Sequence, residues 1–315
     1  MYAEHFHLKS LPFELMPDTR RFTPLAQYRD ALRLVEHSIA SGQGVIKVTG
    51  EVGLGKTLLC RMLLNRLGTR HALAYLPNPS LDVDGILRSV ARELQIWPRR
   101  LSERDAILEL LHRRLIEYRR AGRRAIIVID EAQGLCWDAL EAIRLLANLE
   151  TEQHKLLQIV LVGSPELDQR LQAPEARALR QRIAVSYRLN GLSREESVDY
   201  VGSRLVAAGL SGSVPFDAAA LHRLAEAGKG VPRVLNVLSH KALLAALSRR
   251  ACCAAVADVD AAIADSVEQV GSGQARRARW RLASRRLWRN GRTLGLGAAA
   301  GVAAVLCLHL LEWLP

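Results

Sequence analysis

The sequence lacks a signal peptide and the cysteine motifs of a metal site. Its five cysteines form no CxxC pair, and none lies at metal-ligand spacing from a histidine. We therefore expect reduced thiols in a reducing compartment. The first ten residues contain neither the basic start nor the apolar run of a signal peptide. Disorder is not expected either, because 49% of the 315 residues are hydrophobic, which is enough for a large core.

Lysine is scarce, and acidic residues are in the minority. Only 6 of the 44 basic residues are lysines, and against 32 acidic residues the net charge is +12. A basic balance favours nucleic acid or a membrane surface as a partner. Eight arginines and no acidic residue occur from Arg276 to Arg292, which leaves only +4 for the rest of the chain. Because the excess is local, we expect membrane lipids, and not nucleic acid, as the anionic partner.

One long uncharged run follows these arginines. Thr293 to Leu311 contains 19 residues without a charged side chain, counting His309 as neutral. A helix of that length is roughly 28 Å long, about the thickness of a bilayer core. The sequence thus predicts a single transmembrane helix at 293–314 after an arginine-rich juxtamembrane linker at 271–292. By the positive-inside rule, the body of the chain lies in the cytoplasm.

Short apolar runs alternate with helical patterns up to residue 190. This alternation predicts an α/β fold with a parallel sheet covered on both faces. The helical stretches between strands include Ser102–Arg120 and Leu135–Glu150. The predicted strands are Val45–Thr49, Ala72–Leu76, Ala125–Ile129, Leu157–Val162 and Ala184–Leu189.

The strand pattern stops after Gly191. Ser193 and Glu196 have the spacing of a capping box that opens a helix. Further helices are expected near Phe216–Glu226, Pro232–Ser248 and Asp258–Val267. The sequence therefore predicts a nucleotide-binding domain at 1–190 and a small all-α lid domain at 191–270.

The strongest chemical motif follows the first predicted strand. Its glycines let backbone N–H groups turn inward around phosphates, and the following helix adds its N-terminal dipole. Lys56 is expected to reach the β- and γ-phosphates of ATP, and Thr57 to hold Mg²⁺. The GxxxxGK[ST] motif consists of Gly50, Glu51, Val52, Gly53, Leu54, Gly55, Lys56 and Thr57.

Two carboxylates end the buried strand at Ala125–Ile129. Asp130 can bind Mg²⁺ directly or through water, and Glu131 can act as the general base for an attacking water. Their position at the end of an apolar strand after a P-loop favours this reading over a solvated turn. The expected reaction is hydrolysis of ATP to ADP and phosphate.

Three segments together carry a resemblance to a known family. They are Ile129–Gln133, Leu140–Glu150 and Lys155–Leu167. The opening segment from Tyr2 to Pro24 also resembles the start of the same family. The sequence resembles the AAA+ ATPases of the general secretion pathway protein A (ExeA) type, and within them the MSHA pilus biogenesis ATPase. The resemblance implies a P-loop AAA+ domain, a homo-oligomer, single-pass attachment to the inner membrane, and partners among inner-membrane pilus or secretion assembly proteins.

The resemblance also assigns roles to single residues. Arg182, in Gln181-Arg182-Ile183, is the candidate arginine finger that reaches a neighbouring subunit's γ-phosphate, and Arg177 is the second candidate. Arg233 would be the sensor 2 residue that touches the nucleotide from the lid. Ser164 stands where the family often has glutamine, and its shorter hydroxyl would orient water near the γ-phosphate as sensor 1.

Two other readings stay open at this point. The first is a DNA-binding AAA+ ATPase of the transposition-helper kind, which the basic charge favours. The second is a nucleotide-gated scaffold with little turnover. The membrane segment and the near-neutral body argue against the first reading, and intact Lys56, Asp130 and Glu131 argue against the second.

Overall fold

A computed structural model describes residues 2–16, 19, 22–23, 25–77, 81–96, 104–152 and 154–266. The chain divides into two compact units, 1–259 and 260–315. Within the second unit only residues 260–266 are described, and they are helical. The predicted linker at 271–292 and the predicted transmembrane helix at 293–314 lie outside the described residues. In the part of the chain that is described, no helix is both long and apolar enough to span a membrane.

The centre of the first unit is a five-stranded parallel sheet. Its order is β2-β3-β4-β1-β5, so β1 lies between the last two strands of the sequence. Val45 of β1 is paired with Ile159 on one side and with Ile183 on the other. The strands are β1 (Val45–Gly50), β2 (His71–Leu76), β3 (Arg124–Ile129), β4 (Leu157–Gly163) and β5 (Ile183–Leu189). All five sequence predictions are confirmed to within one residue at each end.

In chain order the helices are α1 (Tyr2–His5), α2 (Ala26–Ala40), α3 (Lys56–Leu67), α4 (Val83–Glu93), α5 (Arg104–Arg120), α6 (Trp137–Ala147), α7 (Glu166–Gln172), α8 (Arg177–Arg180), α9 (Arg194–Ala207), α10 (Ala218–Gly228) and α11 (Pro232–Ser248). Helices α2 to α8 cover the two faces of the sheet, and the other helices pack elsewhere. The prediction for α6 was too long at both ends. A 3-10 turn at Ala132–Gly134 precedes α6, and Glu150 lies beyond its end in a bridge to Lys155.

Alternate strand residues supply two separate cores. On one face, residues such as Ile127 and Ile159 pack with α4 to α8. On the other face, residues such as Ile126 and Val160 pack with α2 and α3. Side chains of a strand point alternately to its two faces, so apolar residues at successive positions require a covered sheet on both sides. The predicted α/β architecture is therefore confirmed.

The segment after β5 is helical, as predicted. The side chain of Ser193 accepts from the Glu196 N–H at 3.1 Å, and the Glu196 carboxylate accepts from the Ser193 N–H at 2.9 Å. This reciprocal pair is the expected capping box at the start of α9. The helices α9, α10 and α11 pack on one another. The placement of a domain boundary at residue 190 stays a prediction.

The first residues of the chain pack on these later helices. We call residues 2–16 the amino-terminal arm. The backbone N–H of Lys9 donates to the carbonyl oxygen of Ala208 at 2.9 Å, and Arg204 Nε donates to the Pro12 carbonyl oxygen at 2.8 Å. The Phe13 ring lies edge-on to Phe216, with centroids 6.5 Å apart. The arm therefore joins α9 to the residues that lead into α2.

Candidate active site

The P-loop connects the carboxyl end of β1 to α3. Gly53 and Gly55 have φ of 90° and 79°, in the left-handed region that side chains disfavour. Gly53 also leaves no room for a side chain, because a Cβ there would lie 2.8 Å from Val231 Cγ1. Gly55 caps α3 without a side-chain hydrogen bond, so the first N–H groups of α3 are left for a ligand. The predicted motif thus has the backbone geometry of an anion-binding turn, and its binding role stays a prediction.

Lys56 is the buried cation of this turn. Its side chain is 5% exposed, and Nζ donates to the carbonyl oxygens of Gly50 at 2.9 Å and Glu51 at 3.1 Å. Its ammonium group is therefore held over the loop by neutral acceptors and has no carboxylate partner among the described residues. A phosphate in the loop would supply the missing negative charge.

Asp130 and Thr57 meet beside the P-loop. Asp130 is buried at the end of β3, and its carboxylate accepts hydrogen bonds from the Thr57 hydroxyl and from the Glu131 N–H. Burial raises the pKa of the Asp130 carboxyl, and these hydrogen bonds act in the opposite direction. Two oxygen donors in contact fit a hard cation such as Mg²⁺. The predicted metal ligands are thus brought together.

Glu131 follows Asp130 in a strained backbone conformation. Its φ is 52°, in the left-handed region where a residue other than glycine is uncommon. The Glu131 side chain is exposed and its carboxylate accepts a hydrogen bond from Gln133 Nε2. Glu131 also lines the cavity beside Lys56 and Thr57. The geometry therefore allows it to act on a water held in that cavity.

A cavity of about 290 Å³ opens over the P-loop. That volume is at the small end of the range for ligand sites. The walls come from five places: the amino-terminal arm with Phe22 and Thr23, α2, the P-loop with α3, Glu131 after β3, and the helices after β5. The lining residues that matter below are Leu15, Met16, Tyr28, Lys56, Tyr200 and Arg233. Leu15 and Met16 are exposed apolar side chains.

Arg233 reaches the site from the start of α11. Its backbone N–H donates to the Gly53 carbonyl oxygen at 3.3 Å, so α11 contacts the P-loop directly. Asn236, one turn later, accepts from the Tyr200 hydroxyl at 3.1 Å and lines the same cavity. Arg233 thus lines the cavity beside the P-loop, and its sensor 2 role stays a prediction.

Ser164 follows β4 and is buried. Its hydroxyl is hydrogen-bonded to the Glu166 carboxylate, and this bond lowers the pKa of Glu166. The Ser164 N–H donates to Gln133 Oε1 at 3.0 Å. In this structure the hydroxyl is thus engaged by Glu166, and the sensor 1 role stays a prediction.

Arg182 and Arg177 are not brought to the P-loop. Arg182 directly precedes β5, whose first residue pairs with Val45 at the amino end of β1. The P-loop begins at the other end of β1, five residues and roughly 17 Å further along the sheet. Neither arginine lines the cavity. An arginine-finger role would therefore have to be exercised on another subunit.

Several residues of the site have no motif that would have indicated them. Tyr28 of α2 donates to the carbonyl oxygen of Leu54 at 2.8 Å and so supports the P-loop. The arm residues Leu15 and Met16 are distant in sequence from the P-loop and from the helices after β5. In the sequence, Gln133 stands out only as the last residue of Ile129–Gln133, one of the segments that carry the family resemblance. All of these contacts depend on packing between remote parts of the chain.

Comparison with known proteins agrees with this geometry. Residues 38–171 match the family described as AAA domain, a region that contains the P-loop, Asp130 and Glu131. The fold is also similar to that of Aeropyrum pernix ORC2 with ADPNP and ADP (TM-score 0.57, 17% identity, 77% of this chain and 67% of that chain). A second similar structure is CDC6P from Pyrobaculum aerophilum (TM-score 0.57, 19% identity, 75% and 68%). At these identities the likeness concerns the fold alone. It agrees with the AAA domain match and with the predicted P-loop AAA+ fold.

The sequence is also similar to General secretion pathway protein A of Aeromonas hydrophila, with 37% identity over 249 residues. The match covers 79% of this chain and 45% of that protein, so the chain spans less than half the length of this curated relative. Together with the AAA domain, this supports the resemblance to the general secretion pathway protein A type over the matched part of the chain. A closer relation to the MSHA pilus biogenesis ATPase stays a prediction.

Proposed function

We propose that this chain binds ATP with Mg²⁺ and hydrolyses it to ADP and phosphate. The observation that carries the proposal is the cluster beside the cavity. Lys56 has no acidic partner among the described residues, Thr57 and Asp130 share a hydrogen bond, and Glu131 lines the same space. An enzyme that transfers a phosphoryl group to water needs these elements: a cation for the phosphates, metal ligands and a base.

Each residue then has a separate task. Lys56 and the N–H groups at the start of α3 hold the phosphates, and Thr57 and Asp130 hold Mg²⁺. When bound, Mg²⁺ neutralises charge on the β- and γ-phosphates. Glu131 takes the proton of the attacking water. Arg233 touches the nucleotide from α11, so the lid domain, proposed at 191–270, responds to its presence.

The ATPase is further proposed to act as a homo-oligomer in which Arg182 completes a neighbour's site, with Arg177 as the second candidate. Supporting this, Arg182 lies at the opposite end of the sheet from its own P-loop. The charge of an arginine finger stabilises the transition state, so hydrolysis would depend on assembly.

The cellular task is proposed to be assembly of a type II secretion machine or an MSHA-like type IV pilus. The similarity to General secretion pathway protein A supports the first of these. The proposed partners are inner-membrane assembly proteins and membrane lipids. The arginines at 276–292 and the uncharged run after them support single-pass anchoring in the inner membrane, with the ATPase in the cytoplasm.

Two substitutions test the ATPase. Lys56→Ala should abolish ATP binding, because the buried cation of the P-loop is lost. Glu131→Gln should bind ATP normally and lower kcat by roughly 100-fold or more, because a general base contributes that much to proton transfer. Binding of a fluorescent ATP analogue and steady-state phosphate release would measure the two effects. Glu152→Gln, an exposed acid-to-amide change, is the control. Normal turnover by Glu131→Gln would show that Glu131 is not the base.

A further inference from the structure

Gln133 connects the proposed base to the neighbouring strand. Its side-chain Nε2 donates to the Glu131 carboxylate, and its Oε1 accepts the Ser164 N–H at 3.0 Å. Ser164 is the first residue after β4, so one amide links the end of β3 to the end of β4. The orientation of the amide follows from its partners. With the amide flipped, two donors would face each other at Ser164 and two acceptors at Glu131.

The backbone around Gln133 is fixed independently. Its carbonyl oxygen accepts from Arg170 of α7 at 2.6 Å, and the Arg170 guanidinium also lies over the Trp137 ring at 4.9 Å. The neighbouring Gly134 N–H donates to the Glu131 carbonyl oxygen at 2.8 Å. The position of the Gln133 backbone is therefore set by α7 and the turn, and does not depend on the Glu131 side chain.

Gly163 makes the approach of the amide possible. A Cβ at this last residue of β4 would lie 2.9 Å from Gln133 Oε1 and 3.4 Å from the Gln133 backbone nitrogen. Any side chain at position 163 would push the amide away from its bond with Ser164. The close contact is thus built into the strand end, and the exposed Glu131 carboxylate accepts a hydrogen bond from this amide.

We propose that Gln133 is a positioning residue that orients the Glu131 carboxylate toward the attacking water and couples that orientation to the end of β4. The inference rests on the proposed ATPase function. Gln133 is not among the described residues that line the cavity over the P-loop. It acts through Glu131, and a shift of Ser164 or α7 would reach the base through it.

The first test replaces the amide in the full-length chain. Gln133→Ala should lower kcat by roughly 10- to 100-fold, a part of what a well-placed base contributes, and should leave KM and the dissociation constant for ATP unchanged. Gln169→Ala, an exposed glutamine of α7, is the matched control and should behave as wild type. Equal kcat for Gln133→Ala and Gln169→Ala would overturn the inference, and so would a weaker affinity for ATP with unchanged kcat.

The second test uses a group that can donate only when protonated. In Gln133→Glu the new carboxylate still accepts from the Ser164 N–H but repels Glu131 near neutral pH. Its kcat relative to wild type should rise as the pH falls, because one shared proton restores the donor. The corresponding ratio for Gln133→Ala should stay flat. Four other charged groups face this region: Asp130, Lys56, Glu166 and Arg170. They are present in all three proteins, so their effect on the pH dependence of kcat cancels in the ratio.

The third test moves the amide without changing it. Gly163→Ala should reproduce the kcat loss of Gln133→Ala, and the double variant should lose no more than either single variant. Melting temperatures show whether each variant is folded. If Gly163→Ala or the double variant is not folded, the pH dependence of the kcat of Gln133→Glu relative to wild type decides whether the inference holds. Additive losses, or a flat pH ratio for Gln133→Glu, would overturn the inference. If wild type turns over ATP and Glu131→Gln does not, either of these outcomes rejects only the positioning role of Gln133. Normal turnover by Glu131→Gln would instead reject Glu131 as the base.

Discussion

Asp130 carries the clearest conflict between stability and function among the described residues. The side chain is 1% exposed, and burial raises the pKa of its carboxyl. Its charge is partly compensated by hydrogen bonds from Thr57 and from the Glu131 N–H. A carboxyl whose pKa is higher in the folded state destabilises that state at pH values above the raised pKa. The protein therefore keeps a charge at this position at the expense of its own stability without nucleotide.

We predict that Asp130→Asn raises the melting temperature of the nucleotide-free protein near neutral pH. The uncharged amide keeps an oxygen for the Glu131 N–H and removes the desolvated charge. The gain should shrink as the pH falls through the raised pKa, because the wild-type carboxyl is then protonated as well. Mg²⁺-dependent ATP turnover should be lost. Thermal melts across this pH range, with exposed Asp138→Asn as control, would measure it. A lower melting temperature at neutral pH would contradict the argument.

At the scale of single elements, α9 depends on its capping box. Ser193 and Glu196 satisfy two N–H groups that the first turn of the helix leaves open. The same helix carries Tyr200 into the cavity and Arg204 to the amino-terminal arm. The stability of the first turn of α9 therefore affects the order of one cavity wall.

We predict that Ser193→Ala lowers the free energy of unfolding by about 1 kcal/mol, the usual cost of losing an N-cap side chain. Ser203→Ala, later in α9, is the control. The Ser203 hydroxyl bonds the Asp199 carbonyl oxygen within the helix, so its loss should cost little and the better helix propensity of alanine offsets it. Urea unfolding followed by circular dichroism would compare the two. Equal effects of the two variants would mean that the capping box does not contribute.

The strands and helices could be predicted because their signals are local. Each strand is a short apolar run, and β1 and β3 are followed directly by the residues of the site. The order of the sheet could not be read in the same way. Val45 pairs with Ile159 and Ile183, and nothing near Val45 specifies these remote neighbours. By contrast, the P-loop and the Asp130–Glu131 pair could be predicted, because each is a contiguous motif.

Residues that act across the fold escaped prediction. Lys47 of β1 forms an ion pair with Asp168 of α7, which also accepts from the Thr49 hydroxyl at 3.0 Å. This contact ties α7 to the strand that leads into the P-loop. A lysine inside an apolar strand is a detectable anomaly, but its partner lies 121 positions away. Spacing along the sequence contains no information about such a pair.

At the scale of the whole molecule, the position of Arg182 makes oligomerisation testable. We predict that Arg182→Ala keeps ATP binding intact and lowers the turnover of the oligomer, because its own P-loop is at the other end of the sheet. Turnover measured over a dilution series, with size determined in parallel, would show the loss only where wild type is assembled. Arg177→Ala is the comparison that separates the two candidates. An equal loss in monomer and oligomer would contradict action on a neighbour.

The proposed membrane attachment gives a further prediction. The full chain should fractionate with membranes and resist carbonate and high salt, and removal of residues from Thr293 onward should release it. Attraction of arginines to lipid alone is worth about 1 kcal/mol per residue and is screened by salt, whereas burial in hydrocarbon is not. A reporter placed after Pro315 should be found outside the cytoplasm. Salt-sensitive binding, or a cytoplasmic reporter, would contradict a spanning helix and renew interest in DNA binding by residues 1–270.

The order of the sheet has a consequence for synthesis of the protein. β1 is made early, but its neighbours β4 and β5 follow more than a hundred residues later. The partners of the first-made segments are translated later still: Ala208, which bonds to the amino-terminal arm, and Arg233, which bonds to Gly53. At about 5–20 residues per second, roughly 10–40 s separate translation of the P-loop from that of Arg233. If the chain binds ATP as proposed, the nucleotide would find no complete site during that interval, and the apolar strands already made would still lack their neighbours.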